Sequence, residues 1–157
     1  NKETTVQKGE ILQRPGEINS KIYHVTSGLL RSYCIDQKGK EHIFMFAPEG
    51  WIMADYVPPE RETQLFIQAI EESTLRITEK DIKKETETQK FIRRIEVLQN
   101  RVIQLMSATA LERYDHFVLT YPNLSQRITQ KMIASYLGVT PEALSKVKSQ
   151  RRTHLKS

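Results

Sequence analysis

The sequence predicts an α+β protein in which a β-rich half is followed by a helical half. In the first eighty residues, short β-prone runs alternate with glycine and proline turn signals at a spacing of roughly 8–12 residues, which is typical of a sandwich, barrel or roll. From Glu79 onward, the apolar residues follow the period of an amphipathic helix. The change of period therefore separates two regions of different structure.

The predicted strands are short runs rich in β-branched and aromatic residues. They cover residues 11–12, 22–25, 29–35, 43–46, 65–69 and 75–77. The segment 36–40 contains Gly39 and lies between two of these runs, so we expect a hairpin loop there.

The helical half begins, by its local signals, at Thr78, which can cap a helix whose first turn contains Glu79 and Asp81. A long helix is expected over about 88–107, followed by a helix over about 108–120 that stops before Pro122.

The long helix has an apolar seam with spacings of four, three, four and three residues. Its members are Phe91, Ile95, Leu98, Val102 and Leu105. Such a seam packs on the chain's own β domain or pairs with the same helix of a second subunit. About two heptads are too few to decide, so periodicity leaves both interpretations open.

The net positive charge of the chain comes from its last third. Residues 107–157 contain eight Lys/Arg against three Asp/Glu, and the preceding residues contain sixteen of each, for a net charge of +5. A neutral body with a basic end indicates a polyanionic partner. The simpler alternative is a solvated basic tail.

Other residue types exclude several classes of protein. Cys34 is the one cysteine, so an internal disulfide and a multi-cysteine metal site are excluded, and we expect a cytoplasmic setting. We expect no signal peptide, and the sequence has no apolar run long enough for a membrane span. The four histidines have no metal-ligand spacing and no catalytic constellation stands out, so neither an enzyme nor a cofactor is expected.

The segment 128–152 has the pattern of a helix-turn-helix. Thr129 can cap a first helix over Gln130–Leu137, and Gly138 suits the left-handed turn after it. A second helix then begins with Thr140 as its cap, Pro141 at its first position and Glu142 in its first turn.

The apolar and polar positions agree with this motif. Ala134 is small enough for close helix approach, and an apolar set joins the two helices: Ile133, Leu137, Val139, Leu144 and Val147. The other face of the second helix is polar: Thr140, Glu142, Ser145, Lys146, Ser149 and Gln150. These groups can reach base edges or phosphates in a major groove. An αα-hairpin with a solvated face is the alternative.

Several motifs together resemble the CRP/FNR family of bacterial transcription regulators. They are Lys8-Gly9-Glu10, Ile22-Tyr23-His24-Val25, Ser27-Gly28, Gly39 in the hairpin, and Val139-Thr-Pro-Glu-Ala-Leu-Ser145. The resemblance implies an α+β protein with an N-terminal jelly-roll or β-roll domain, a long dimerisation helix and a C-terminal all-α helix-turn-helix domain. It places the roll and long helix (about 88–106) within residues 1–106 and the DNA-binding domain at 107–157.

The resemblance also implies partners and sites. The partners are double-stranded DNA, a second copy of the chain, and RNA polymerase. The DNA-binding residues expected from the helix starts and the polar face of the second helix are Thr129, Gln130, Thr140, Pro141, Glu142, Ser145, Lys146 and Ser149. The resemblance favours the dimer for the seam of the long helix, namely Phe91, Ile95, Leu98, Val102 and Leu105.

The candidate effector pocket departs from that of cyclic-AMP-binding members. Aligned through Phe66, the chain has Ala54-Asp55 in place of Gly-Glu and Thr63 in place of the phosphate-binding Arg. With Tyr56, these residues form the candidate pocket, and without the charge-assisted bond to a phosphate we expect no cyclic AMP binding. The alternative function is a small-molecule-binding jelly-roll protein whose basic tail is incidental.

Overall fold

The computed structural model describes residues 3–80 and 88–155, without the side chains of residues 88–91, 93, 94 and 154. The chain divides into two compact units, residues 1–83 and 84–157. The first unit contains β1 (Glu3–Val6), β2 (Ile11–Gln13), β3 (Lys21–Ser27), β4 (Leu30–Ile35), β5 (Glu41–Ala47), β6 (Ile52–Ala54), β7 (Phe66–Ala69) and β8 (Ser73–Glu79). The second contains α1 (Thr88–Ser107), α2 (Ala110–Thr120), a 3₁₀ turn (Leu124–Gln126), α3 (Gln130–Leu137) and α4 (Pro141–His154).

The β unit consists of two four-stranded sheets in which every pairing is antiparallel. The strand orders are β1-β8-β3-β6 and β2-β7-β4-β5. Alternate side chains of both sheets form one apolar core: Val6, Tyr23, Val25, Leu30, Met45, Ala47, Met53, Ile67, Ala69 and Leu75. The predicted fold class of a β-roll followed by helices is confirmed.

Two strands were not predicted, and one predicted helix start differs from the structure. The strands that the sequence did not predict are β1 and β6, which have four and three residues. The predicted helix start at Thr78 is wrong, because Thr78 pairs with Ile22 inside the sheet as part of β8. Glu79 of that predicted first turn is likewise part of the strand, as the last residue of β8, and Asp81 lies outside the described residues.

The predicted hairpin loop joins β4 to β5. The Asp36 amide donates to the Lys40 carbonyl (3.0 Å), and the Asp36 carboxylate accepts from the Lys38 and Lys40 amides (2.8 and 3.0 Å). The side chain of His42 lies 2.8 Å from the same carboxylate, and this hydrogen bond is the main reason that the pKa of Asp36 is lowered. Local bonds therefore hold the loop.

The helical unit is built around aromatic side chains. Tyr114, Phe117, Tyr121 and Tyr136 are buried, and the Phe117 ring lies 5.6 Å from those of both Tyr121 and Tyr136. Helix α2 begins at Ala110, two residues later than predicted, because Thr109 and Glu112 form a capping box.

The long helix α1 falls in the second compact unit, whereas the sequence-based boundary after residue 106 groups it with the β domain. Arg101 of α1 contacts Tyr136 of α3, and this contact connects the long helix to the other helices. None of the helices in the described ranges is long and apolar enough to cross a membrane.

Candidate nucleic-acid interface

The first helix of the motif, α3, has the bounds that the sequence predicts. The Thr129 hydroxyl accepts a hydrogen bond from the Met132 amide (3.2 Å), which satisfies one of the free amides at the helix start. Gly138 ends the helix in a left-handed conformation, with φ of +67°. The cap at each end therefore fixes the length of α3.

The second helix, α4, begins three residues later. The Thr140 hydroxyl accepts from the Ala143 amide (3.1 Å), and Pro141 occupies the first helical position. Glu142 lies in the first turn, where a carboxylate interacts favourably with the positive end of the helix. The start of α4 is thus fixed by local contacts.

The two helices pack through the apolar set predicted from the sequence. Ile133, Ala134 and Leu137 of α3 are buried, as are Leu144 and Val147 of α4. Residue Val139, in the turn, is half-buried.

The outward face of α4 follows from this packing. Glu142 and Lys146 each lie two residues from Leu144, and Ser149 lies two residues from Val147. Two residues correspond to about 200° around a helix, so these side chains point away from the buried side. All three are exposed. The structure therefore brings these predicted residues together on one solvent-facing strip.

The predicted DNA-binding side chains differ in whether their polar atoms already have hydrogen-bond partners within the chain. Glu142 and Lys146 have no side-chain hydrogen bond or ion pair with any residue that the structure describes. The Ser145 hydroxyl donates to the Pro141 carbonyl (3.1 Å), which leaves its oxygen as an acceptor. The Gln130 amide oxygen accepts from Lys148, so its NH₂ group is the part that remains to donate.

Further positively charged side chains lie near this face. They were not among the DNA-binding residues predicted from the sequence. Arg152 is exposed and Lys148 is half-buried, and burial together with the nearby Arg152 lowers the pKa of Lys148. Arg152 lies seven residues after Ser145 and so shares its side of the helix, a spacing that extends the predicted strip. Arg151 is different, because its guanidinium bonds the Asp115 carboxylate at 2.7 Å.

The candidate effector residues lie in the β unit, and three of the four are buried there. Asp55 accepts hydrogen bonds from the Gln64 and Leu65 amides (2.7 and 2.9 Å). The Thr63 hydroxyl donates to the Arg14 carbonyl at 2.7 Å and accepts from the Glu17 amide at 3.2 Å. Ala54 is buried beside them and Tyr56 is exposed. The polar groups of Asp55 and Thr63 are thus engaged within the chain.

The apolar seam of α1 is partly exposed. Ile95 is 61% exposed, Val102 53% and Leu105 44%, whereas Leu98 is half-buried and the side chain of Phe91 lies outside the described residues. Three more large apolar side chains are exposed beside the seam: Ile92, Ile103 and Met106. The exposed apolar strip is therefore wider than the predicted seam.

Two curated relatives of this chain are named as anaerobic regulatory proteins. No family model matches the sequence. The anaerobic regulatory protein of Haemophilus influenzae is 26% identical to this chain over an alignment that covers 90% of this chain and 63% of the relative. The anaerobic regulatory protein of Aggregatibacter actinomycetemcomitans matches to the same extent. The chain thus spans less than two thirds of the length of these relatives.

Solved structures similar to this chain identify its fold. FixK2 from Bradyrhizobium japonicum superposes with a TM-score of 0.83 at 22% identity, covering 98% of this chain and 85% of FixK2. A CRP/FNR-family transcriptional regulator from Thermus thermophilus gives a TM-score of 0.76 at 16% identity, covering 98% of this chain and 87% of that one. The resemblance seen in the motifs is confirmed: the chain has the fold of the CRP/FNR transcriptional regulators, and the relatives named here are regulators, not enzymes.

Proposed function

We propose that the chain is a sequence-specific DNA-binding transcription regulator that acts as a homodimer. The observation that carries the proposal is the outward strip of α4, where Glu142, Lys146 and Ser149 are exposed on the side opposite the buried Leu144 and Val147. A helix with this arrangement, supported by a second capped helix, suits the major groove of B-DNA.

The strip offers both a hydrogen-bond acceptor and a hydrogen-bond donor to base edges. Glu142 in the first turn can accept a hydrogen bond from the amino group of cytosine, and Lys146, one turn on, can donate to guanine or to a phosphate. Ser145 and Ser149 add hydroxyl groups on the same side. Three residues at the helix starts hold the DNA backbone: Thr129, Gln130 and Thr140.

The exposed apolar strip of α1 supports the dimer. A strip that contains Ile95 and Val102, each more than half exposed, is stabilised when a second copy covers it. Two copies related by a twofold axis place their α4 helices in successive major grooves, about 34 Å apart, so we expect a palindromic site.

The proposal includes an effector domain that does not bind cyclic AMP. Thr63 has no charge to pair with a phosphate, and its hydroxyl is engaged by Arg14 and Glu17 of the same chain. The neighbouring Asp55 carboxylate would repel the phosphate. We place the protein in the cytoplasm with RNA polymerase as a further partner, since a DNA-bound regulator acts on transcription there.

The test is selection of DNA from a random duplex library, followed by affinity measurements over a range of salt concentrations. We expect a palindromic site and a log–log salt slope of about −0.9 for each phosphate contacted. Lys146→Ala should weaken binding, whereas Lys38→Ala, which removes the same charge from an exposed loop of the β unit, should not. A flat salt dependence, or equal effects of the two variants, would contradict the proposal.

A further inference from the structure

The last turn of α3 ends in four carbonyl groups, and each has an identified partner. The first two are bonded within the turn, because the Gly138 amide donates to Ser135 (3.2 Å) and the Val139 amide donates to Ala134 (3.0 Å). The last two, of Tyr136 and Leu137, cannot be reached by the helix itself. They are satisfied by two arginines from other helices.

Arg101 of α1 bonds to Tyr136 in two ways. Its Nη2 donates to the Tyr136 carbonyl at 2.7 Å, and its guanidinium lies 3.8 Å from the centre of the Tyr136 ring. The carbonyl bond is charge-assisted and the ring contact is a cation–π interaction. A planar guanidinium can make both contacts at once, whereas a lysine ammonium cannot reproduce that geometry.

Arg113 of α2 completes the arrangement. Its Nη1 donates to the Leu137 carbonyl at 2.7 Å. A Cβ atom added to Gly138 would lie 3.6 Å from Nη1 of Arg113 and 3.7 Å from Cδ2 of Leu105, so the turn lies directly against α1 and α2. Both arginines are half-buried, where such bonds are less screened by solvent.

From these contacts we infer that Arg101 and Arg113, here called the arginine clamp, are positioning residues for α4. The clamp holds the turn at Gly138, and α4 begins three residues later at Pro141, so the direction of α4 is set against α1 and α2. The inference rests on the proposed function, in which α1 forms the dimer and α4 reads DNA. The clamp then fixes the distance between the two α4 helices of the dimer.

The first arm of the test needs no DNA. Hydrogen exchange of the Gly138 and Val139 amides is measured in the full chain for the wild type, Arg101→Gln and a control, Gln99→Ala, which removes an exposed side chain from the same helix. Loss of a charge-assisted bond should speed exchange at the turn by about tenfold in Arg101→Gln and leave the control unchanged. Unchanged exchange in Arg101→Gln would overturn the clamp.

The second arm uses Arg101→Lys, which keeps the positive charge. Affinity is measured for the selected palindrome and for versions whose half-sites are one base pair further apart. We expect the wild type to discriminate between the spacings and Arg101→Lys to lose most of that discrimination, with its affinity for random DNA unchanged. Full discrimination by Arg101→Lys and by Arg101→Gln would show that the bond is only structural and would overturn the positioning role.

The two arms separate this inference from the proposed function. If the wild type binds no DNA, the proposed function fails, and exchange at the turn alone decides whether Arg101 holds it. If Arg101→Gln raises exchange throughout the helical unit, it has unfolded, and Arg101→Lys then serves for both arms.

Discussion

Replacing Gly138 by alanine tests whether the turn between α3 and α4 depends on a left-handed residue. Gly138 has φ of +67°, and an alanine held there costs about 1–2 kcal/mol relative to glycine. The added Cβ would find its nearest atoms at 3.6 and 3.7 Å, which is ordinary van der Waals contact. The backbone conformation is therefore the whole cost, and we expect the free energy of unfolding to fall by about 1–2 kcal/mol.

The assay is urea unfolding followed by two probes. Circular dichroism at 222 nm reports mainly on the helices, and fluorescence of Trp51, the one tryptophan, reports on the β unit. The matched control is Gly39→Ala in the β4–β5 loop, where φ is +78° and no atom lies within 4 Å of the added Cβ. Gly138→Ala should shift the first probe and Gly39→Ala the second. A loss at Gly138 above about 3 kcal/mol, or none, would refute the reasoning.

Three further predictions test other parts of the molecule. Burial raises the pKa of Tyr23 to about 12, so the folded state keeps this proton longer than the unfolded chain does, and stability should fall as the pH rises from 10 to 12. Urea midpoints by Trp51 fluorescence should show this fall and Tyr23→Phe should flatten it; equal wild-type midpoints at pH 9 and 11.5 would contradict it. Ile95→Asp should give monomers in sedimentation, whereas Val97→Asp, an exposed apolar residue on another side of α1, should not; a monomeric wild type at micromolar concentration would count against the dimer. Calorimetric titration with cyclic AMP should detect no sub-micromolar binding, and such binding would overturn our view of the effector domain.

Local signals explain why the helix-turn-helix could be predicted from the sequence. The caps at Thr129 and Thr140 and the turn at Gly138 each depend on a few neighbouring residues, and the structure has α3 over the predicted residues. Thr78 shows the limit of such signals. Its sequence context favours a helix cap, but pairing with Ile22 across the sheet holds it in a strand, a contact between residues far apart in the chain.

Tertiary contacts explain what could not be predicted. The two arginines that bond the end of α3 lie 35 and 24 residues from their acceptors, and neither has a sequence pattern that marks its partner. Alignment could predict that Asp55 and Thr63 belong to the candidate effector pocket. It could not predict which backbone groups form hydrogen bonds with them. The polar face of α4 was predictable because helical spacing alone determines which residues share it.

The most direct test of the central claim is the affinity of Glu142→Ala for the selected DNA site and for random DNA. If Glu142 reads a base, the variant should lose about 5- to 150-fold in affinity for the selected site and little for random DNA. If Glu142 only stabilises the start of α4, the variant should melt at a slightly lower temperature with the ratio of specific to non-specific affinity unchanged. An unchanged ratio would contradict the claim that this face of α4 reads DNA sequence.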